Sequence, residues 1–392
     1  MAATNIASEN TSTVVRRSAN YDPPKWDHDY IQALSSKYME ESYVKRHDML
    51  KEKVRMILTT TQDPLEQFEL IDLLERLGLS YHFEDEIKKI LENIYTKSVA
   101  DQKDEWNYEN NLYAIALQFR IFRLHGYTVS TEVFNDFQDE KGNYKECITE
   151  DVEGMLSLLE ASVLSLEGEI ILDEARNFTS KHLKEIVVKN ENKDDMSLLI
   201  ERSLEFPLHW RTPRLEARWF IDIYERKHNR NPMLLEFAKL DFNIVQAIHQ
   251  EEIKETSRWW KNLGLPKKLN FARDRLMESY FWQTGFKSDP KFRHFRIISA
   301  KLFAIMTMID DAYDVYGTLE ELELFTEAVH RWDITYAMEK LPDYMKILFL
   351  AQQSIVNEIV YEALRDDGFN VMDCIKKYER IFCFIYRANY IK

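Results

Sequence analysis

Apolar residues recur along this chain at three- and four-residue steps, the spacing that gathers them on one stripe of an α-helix. Residues 65–79 (LEQFELIDLLERLGL) show it early, and Leu112–Leu124, 155–166 and 170–187 repeat it. Gly78, Gly126 and Gly168 stand where such helices would break. Farther along, 231–248, 251–263, 271–282 and 348–364 read as helices as well, and no repeat of fixed length appears. Glycine and proline number only 9 each in 392 residues, well under the usual share of about 7% and 5%. Turns must therefore be few and elements long, so the pattern predicts an all-α protein.

One stretch breaks the pattern chemically. From Phe295 to Phe325 the chain runs FRIISAKLFAIMTMIDDAYDVYGTLEELELF, an apolar run that ends in three carboxylates and then Gly317. Sixteen residues without Gly or Pro, 295–310, favour a buried helix over a strand, because strands rarely exceed about eight residues. On that helix Asp310 and Asp314 lie one turn apart on one face, with Asp311 offset by about 100°. Two carboxylates side by side at the end of an apolar helix are costly unless a cation neutralises them. Mg²⁺ suits the position, since it takes oxygen ligands and is commonly held by one or two carboxylates together with substrate phosphates. Helix capping or a solvated acidic face would account for an isolated D-D-x-x-D equally well.

Charge narrows the partner. The formal net charge is −15, which repels nucleic acid and anionic lipid surfaces, so no nucleic-acid partner is expected. An anionic substrate then needs concentrated basic residues or bridging metal ions. Arg273 and Arg275, either side of Asp274 in NFARDRLMESYFW, answer that need, since guanidinium forks match phosphate oxygens. Bridging to acidic neighbours such as Glu278 is the ordinary alternative. Trp282 follows Arg273 by nine residues, about two and a half helical turns, so its indole is expected in the same cavity, where it would stabilise a carbocation by about 0.5–2 kcal/mol. Core packing is its commoner fate. Together these groups point to metal-assisted departure of a diphosphate to leave a carbocation.

Other chemistries lack an anchor. There is no P-loop, G-x-G-x-x-G, H-E-x-x-H or Ser/His/Asp order. Cys147, Cys374 and Cys383 form no C-x-x-C, so neither a disulfide framework nor a zinc site is indicated, and a reducing compartment is expected. His82 and Glu84, and the cluster at 189–195, are read as satisfied surface or loop groups. No membrane span is expected, and residues 1–15 read as a tail weakly like part of a transit peptide. Arg16-Arg17 and the Pro-containing segment to Trp26 read as an extended arm, either a surface strap or a cap over an active site. FPLHWRTPRLEARW, residues 206–219, reads as an inter-domain junction.

These residues resemble plant terpene synthases, most closely the angiosperm monoterpene synthase group. Arg16-Arg17 with eight residues before Trp26 matches R-R-x8-W, Arg273-Asp274-Arg275 matches R-x-R, and Asp310-Asp311-x-x-Asp314 matches DDxxD; LIDLLERLGLSYHFEDEI, LEGEIILDEA and FPLHWR match N-terminal stretches. The resemblance implies a tail and arm at 1–29, a helical N-terminal β domain at 30–210 and an incomplete class I α domain at 219–392. It also implies that Asp310 and Asp314 bind Mg²⁺ (or Mn²⁺) with Asp311 supporting, and that Arg273 and Arg275 hold the diphosphate of a prenyl diphosphate substrate. Arg16, Arg17 and Trp26 would close the cap, and Trp282 would take an aromatic position of the cavity. A monomer is expected, with geranyl diphosphate favoured over farnesyl diphosphate because of the R-R-x8-W arm, and a plastid location with the cytoplasm as alternative.

The family's second metal motif, an Asn/Asp, a Ser/Thr and a Glu at four-residue steps, would lie beyond Lys392, and the likeness fades near Lys377. The expectation is a C-terminally truncated chain whose helices at 295–314 and 348–364 expose apolar faces, with low solubility and near-zero turnover. At about 25 cal/mol per Å² such exposure is comparable with a domain's whole stability. A non-enzymatic remnant that binds diphosphate or a homologous chain, a sesquiterpene synthase and a helical scaffold are the rival readings.

Overall fold

A computed structural model describes residues 16–100, 111–190 and 194–377. The expected tail at 1–15, the segment after Lys377 and Cys383 lie outside the described residues, as does part of the cluster at 189–195. Among the described residues every regular element is helical, and the sole β feature is one isolated bridge, Gln138 to Tyr144. No helix there is long and apolar enough to cross a membrane. The chain forms two compact units, Ser36–Ala247 and a second made of the residues up to Ser35 together with Ile248–Lys392.

The Ser36–Ala247 unit is built from the predicted stripes. Asp63 caps Pro64–Arg76, its carboxylate accepting from the Glu66 amide at 3.0 Å, and Pro64 supplies the preset φ of a first helical position. Gly78 ends that helix at φ +74°, and a Cβ there would sit 2.9 Å from the Ala217 side chain, so both the turn and the packing require glycine. Leu112–Leu124, Val152–Ser162 and Ile170–Lys189 follow, and Phe68, Phe119, Phe122 and Phe134 fill the core without solvent exposure. Arg76 and Arg120 both bind Asp72, and Arg76 also reaches Glu160, so four charges are paired inside the unit, although Arg120 Nε and Nη1 are buried without a hydrogen bond among the described residues.

Residues 206–219 do not divide the fold. Arg211 bonds the buried Glu216 at 2.5 Å, and Pro213 starts the helix Pro213–Arg226, so this Pro-containing stretch is an internal connection of the first unit. The division falls at Ala247, inside the single helix Pro232–Leu263, where sequence periodicity had placed two helices. Polar residues between 248 and 251 weaken the stripe, yet nothing there breaks an α-helix.

The second unit carries the arm and the aspartate helix. The short helix His28–Ala33 is tied to the 248–263 stretch by His28 Nδ1 to Ser257 Oγ, 2.8 Å, and by Gln32 Nε2 to the Lys254 carbonyl, 2.9 Å. Arg293–Asp311 packs Ile305, Met308 and Ile309 against Leu322, Phe325, Leu348 and Phe349. Its start is fixed by Arg296, which bonds Glu252 at 2.6 and 2.8 Å with neither side chain exposed, while the Tyr280 hydroxyl donates to Glu252 at 2.7 Å. On the last long helix, Asp343–Asp367, Leu350, Tyr361 and Leu364 are exposed, as is Phe369 just after it.

Candidate active site

The aspartate helix ends differently from a plain α-helix. Arg293–Asp311 passes into a π-helical turn, Ala312–Tyr316, closed by the Gly317 amide donating to the Ala312 carbonyl at 2.7 Å. π-turns widen the helix by one residue and recur at functional sites. Gly317 is required for packing, because a Cβ would come within 2.8 Å of both the Ala312 carbonyl oxygen and Leu322. Asp314 therefore sits on the wider turn, exposed, while Asp310 remains on the α-helix, half-buried.

Asp310 and Asp311 are set in different surroundings. Asp311 has no exposure and is fully engaged: its Oδ2 accepts the Arg273 amide at 2.6 Å, and its two oxygens accept Arg273 Nε at 2.8 and 3.1 Å. Asp310 Oδ2 accepts Arg273 Nη2 at 2.8 Å, but its Oδ1 is buried and accepts no hydrogen bond among the described residues. A buried carboxylate oxygen left without a donor is destabilising unless something completes it. Asp314 has its carboxyl pushed above the usual range by burial and then by the neighbouring Asp310 charge. An orphaned oxygen on Asp310 beside a second carboxylate with a raised pKa fits a hard divalent cation. Asp311, occupied by Arg273, offers no free oxygen for one.

The arginines are held in place by the arm. Arg273 precedes Leu276–Phe286 and Arg275 is that helix's N-cap residue, so neither lies on the helix the periodicity assigned to 271–282. Arg273 keeps its charge: burial opposes it, and the hydrogen bond and charge of Asp311 outweigh burial. The Tyr21 ring lies 5.1 Å from the Arg273 guanidinium. Burial and then a hydrogen bond to Asp311 raise the Tyr21 hydroxyl pKa. Arg275 donates to the Asp22 carbonyl at 3.1 Å and stands 3.9 Å from Glu278.

Arg16 anchors the arm's start. Its two Nη atoms bond the two Glu321 oxygens at 2.7 Å each, Nη1 also reaches the Tyr316 carbonyl at 3.2 Å, and the guanidinium lies over the Tyr316 and Tyr344 rings at 4.5 and 5.0 Å. Glu321 also serves as N3 of a capping box with Thr318 and accepts from the Tyr344 hydroxyl at 2.9 Å. The Arg16 bond holds the Glu321 carboxyl down to about 2. Arg17 donates to the Asp314 carbonyl at 3.2 Å. Trp26 meets Phe281 edge-to-face at 5.7 Å and packs with Ile31, Ile253, Met277 and Tyr280.

The fold thus brings Arg273 onto Asp310 and Asp311 and Arg17 onto the Asp314 backbone, with Arg16 on Glu321 just beyond the same turn, while the contacts of Arg275 are to Asp22 and Glu278 and not to these aspartates. Trp282 is 62% exposed, edge-on to Phe303 at 6.1 Å, because the helix begins three residues after Arg273 and the helical spacing between the two does not hold. Sequence reasoning missed Tyr21, Glu321 and Tyr344. Thr318-x-x-Glu321 was legible as a capping box, but nothing in the sequence says that Arg16, 305 residues away, binds the same carboxylate.

The terpene synthase N-terminal domain model matches residues 25–204, and the terpene synthase metal-binding domain model matches 261–389. A (+)-alpha-pinene synthase of Cannabis sativa is 49% identical over 385 residues, covering 97% of this chain and 68% of its own length. A chloroplastic myrcene synthase of Quercus ilex is 54% identical over 364 residues, covering 93% of this chain and 60% of its own. Limonene synthase with 2-fluorolinalyl diphosphate superposes with a TM-score of 0.90 at 44% identity, covering 95% of this chain and 69% of that one. Isoprene synthase from grey poplar, in complex with three Mg²⁺ ions and dimethylallyl-S-thiolodiphosphate, superposes at 0.82 and 43%, covering 94% and 68%. The chain spans about three fifths to two thirds of the length of these relatives.

Proposed function

This chain belongs to the terpene synthase family, and on that premise we propose that it ionises a prenyl diphosphate, geranyl diphosphate before farnesyl diphosphate, to form a monoterpene. The observation that carries the reading is the buried, unpartnered Asp310 Oδ1 beside Asp314 in a cluster otherwise lined by arginines. Asp310 and Asp314 would hold divalent metal, Mg²⁺ or Mn²⁺, and Asp311 acts on Arg273 instead. When bound, the metal supplies neutralisation of the oxygens of the departing diphosphate.

Arg273 and Arg275 would donate to those same oxygens. Arg273 is already oriented by its bonds to Asp310 and Asp311, so its planar guanidinium would present its remaining N–H groups to the substrate without reorienting. Arg16 and Arg17 hold the arm on the π-turn and on Glu321, where it would limit the access of water to the developing cation. Trp26 anchors the other end of the arm through Phe281. The aromatic role of Trp282 would require its exposed ring to be turned inward.

The geranyl preference rests on the R-R-x8-W arm and on relatives named myrcene, pinene and limonene synthases. The chloroplastic names among them support a plastid location, and the chain is proposed to act as a monomer.

Product analysis tests the reading. The purified chain, shown to be folded by circular dichroism, is incubated with geranyl or farnesyl diphosphate and Mg²⁺ beside Asp310→Ala. A monoterpene from geranyl diphosphate that disappears in the variant is the expected result. No product from the folded chain, or equal product from Asp310→Ala, overturns it.

A further inference from the structure

The Ser36–Ala247 unit contains a second cluster of metal-ligating atoms that the ionisation chemistry does not use. His47 on Glu41–Thr60, His82 at the end of the turn Ser80–His82, and Asp241 on Pro232–Leu263 bring one ligand atom each to within 4.8 Å of one another. His47 Nε2 lies 3.0 Å and His82 Nε2 2.7 Å from the same oxygen, Asp241 Oδ1, and the Tyr81 hydroxyl reaches it at 2.7 Å. The three ligand side chains are 10%, 10% and 3% exposed. Phe237, fully buried, closes the dry side, 5.1 Å from the His47 ring and 5.6 Å from that of His82.

We propose that His47, His82 and Asp241 form a structural site for a Zn²⁺-class divalent ion, distinct from the Asp310–Asp314 cluster. Two imidazole nitrogens and one carboxylate oxygen are a set that zinc takes, with Zn–N and Zn–O bonds of about 2.0–2.2 Å. Tetrahedral bonds of that length put ligand atoms about 3.3 Å apart. The observed 3.0 and 2.7 Å fall short of that by about 0.3 and 0.6 Å, so the side chains must part by rotamer-scale movement to admit the ion. The fourth position falls to the Tyr81 oxygen, already on the same carboxylate, or to water.

Outer groups support the assignment. An imidazole that gives Nε2 to a metal carries its proton on Nδ1, and His47 Nδ1 faces Asp48 Oδ1 at 3.4 Å, the carboxylate partner that fixes such a tautomer. The charged groups facing Asp241 include Arg214, whose guanidinium feels the Asp241 charge.

The 392-residue chain, stripped with chelator, is titrated with Zn²⁺ by calorimetry and with Co²⁺ by visible absorption, in excess Mg²⁺ and again in an Asp310→Ala/Asp314→Ala background. One Zn²⁺ per chain, a tetrahedral Co²⁺ spectrum and a rise in Tm are expected in both backgrounds. All three are lost in His82→Ala and in Asp241→Asn, and affinity falls about tenfold in Asp48→Asn. His47→Gln, close in shape, serves as the variant that keeps the fold. Absence of Zn²⁺ binding in the folded parent chain, equal binding in His47→Gln or His82→Ala, or loss of binding in Asp310→Ala/Asp314→Ala alone overturns the proposal and leaves a hydrogen-bonded carboxylate.

Discussion

Replacing Asp311 by Asn removes the charge that Arg273 is bound to, in a place where the carboxylate has no contact with water. Leaving a charged group without its partner costs about 1–3 kcal/mol, so the chemical denaturation midpoint of Asp311→Asn is expected to fall while residual metal binding persists. Asp310→Asn should separate the two readouts. It removes the orphaned Oδ1 charge and its repulsion with Asp314, which offsets the weakened Oδ2 bond to Arg273, so stability falls less than in Asp311→Asn while divalent-ion affinity is lost. Equal effects of the two substitutions on both readouts would contradict the separate roles given to these neighbours. In the sequence the two aspartates look alike. Helix geometry put Asp311 off the shared face, but only the fold shows that Arg273 is what it faces.

At the scale of the element, the π-turn and the arm set the geometry. Gly317→Ala would force its Cβ against the Ala312 carbonyl and Leu322, a cost of about 1–3 kcal/mol, and shift Asp314. Its expected signature is a lower Tm together with weaker Mg²⁺ binding, and an unchanged Tm would show that the turn can relax. The arm is expected to depend on ionised Glu321. Its folded pKa of about 2 lies below the ordinary 4.5, so its contribution is complete above about pH 4.5 and is lost as the pH falls toward 2. Arg16→Ala or Glu321→Gln removes it at every pH. Tryptic cleavage after Arg17 and Lys25 should be slow in the parent chain near pH 7 and faster in both variants, and equal rates would sink the latch. The helices themselves were legible: Leu112–Leu124 matches its stripe at both ends, and Gly78 and Gly126 stop helices at positive φ. The single helix Pro232–Leu263, the start at Leu276 and the π-turn were not, because a polar stretch, a local cap and a widened turn leave no period in the sequence.

For the molecule as a whole, scarce Gly and Pro and the repeated stripes disclosed an all-α fold, and the division into units at Ala247 was hidden inside one continuous helix. The candidate site was readable as motifs but not as contacts, since Arg16 and Glu321 meet across 305 residues. Tyr361, Leu364 and Phe369 are each more than half exposed. Apolar side chains grouped on one surface bind hydrophobic dyes and promote association. Leu364→Gln with Phe369→Ser is expected to lower anilinonaphthalene sulfonate fluorescence and raise solubility, with Tm unchanged. The overall charge of −15 opposes an anionic substrate, so binding must come from the arginine cluster and metal. Calorimetric titration of the folded chain with inorganic diphosphate, with and without Mg²⁺ and beside Asp310→Ala, tests this directly. Binding that requires Mg²⁺ and vanishes in Asp310→Ala is the predicted result; binding that survives without Mg²⁺ or in Asp310→Ala contradicts the account.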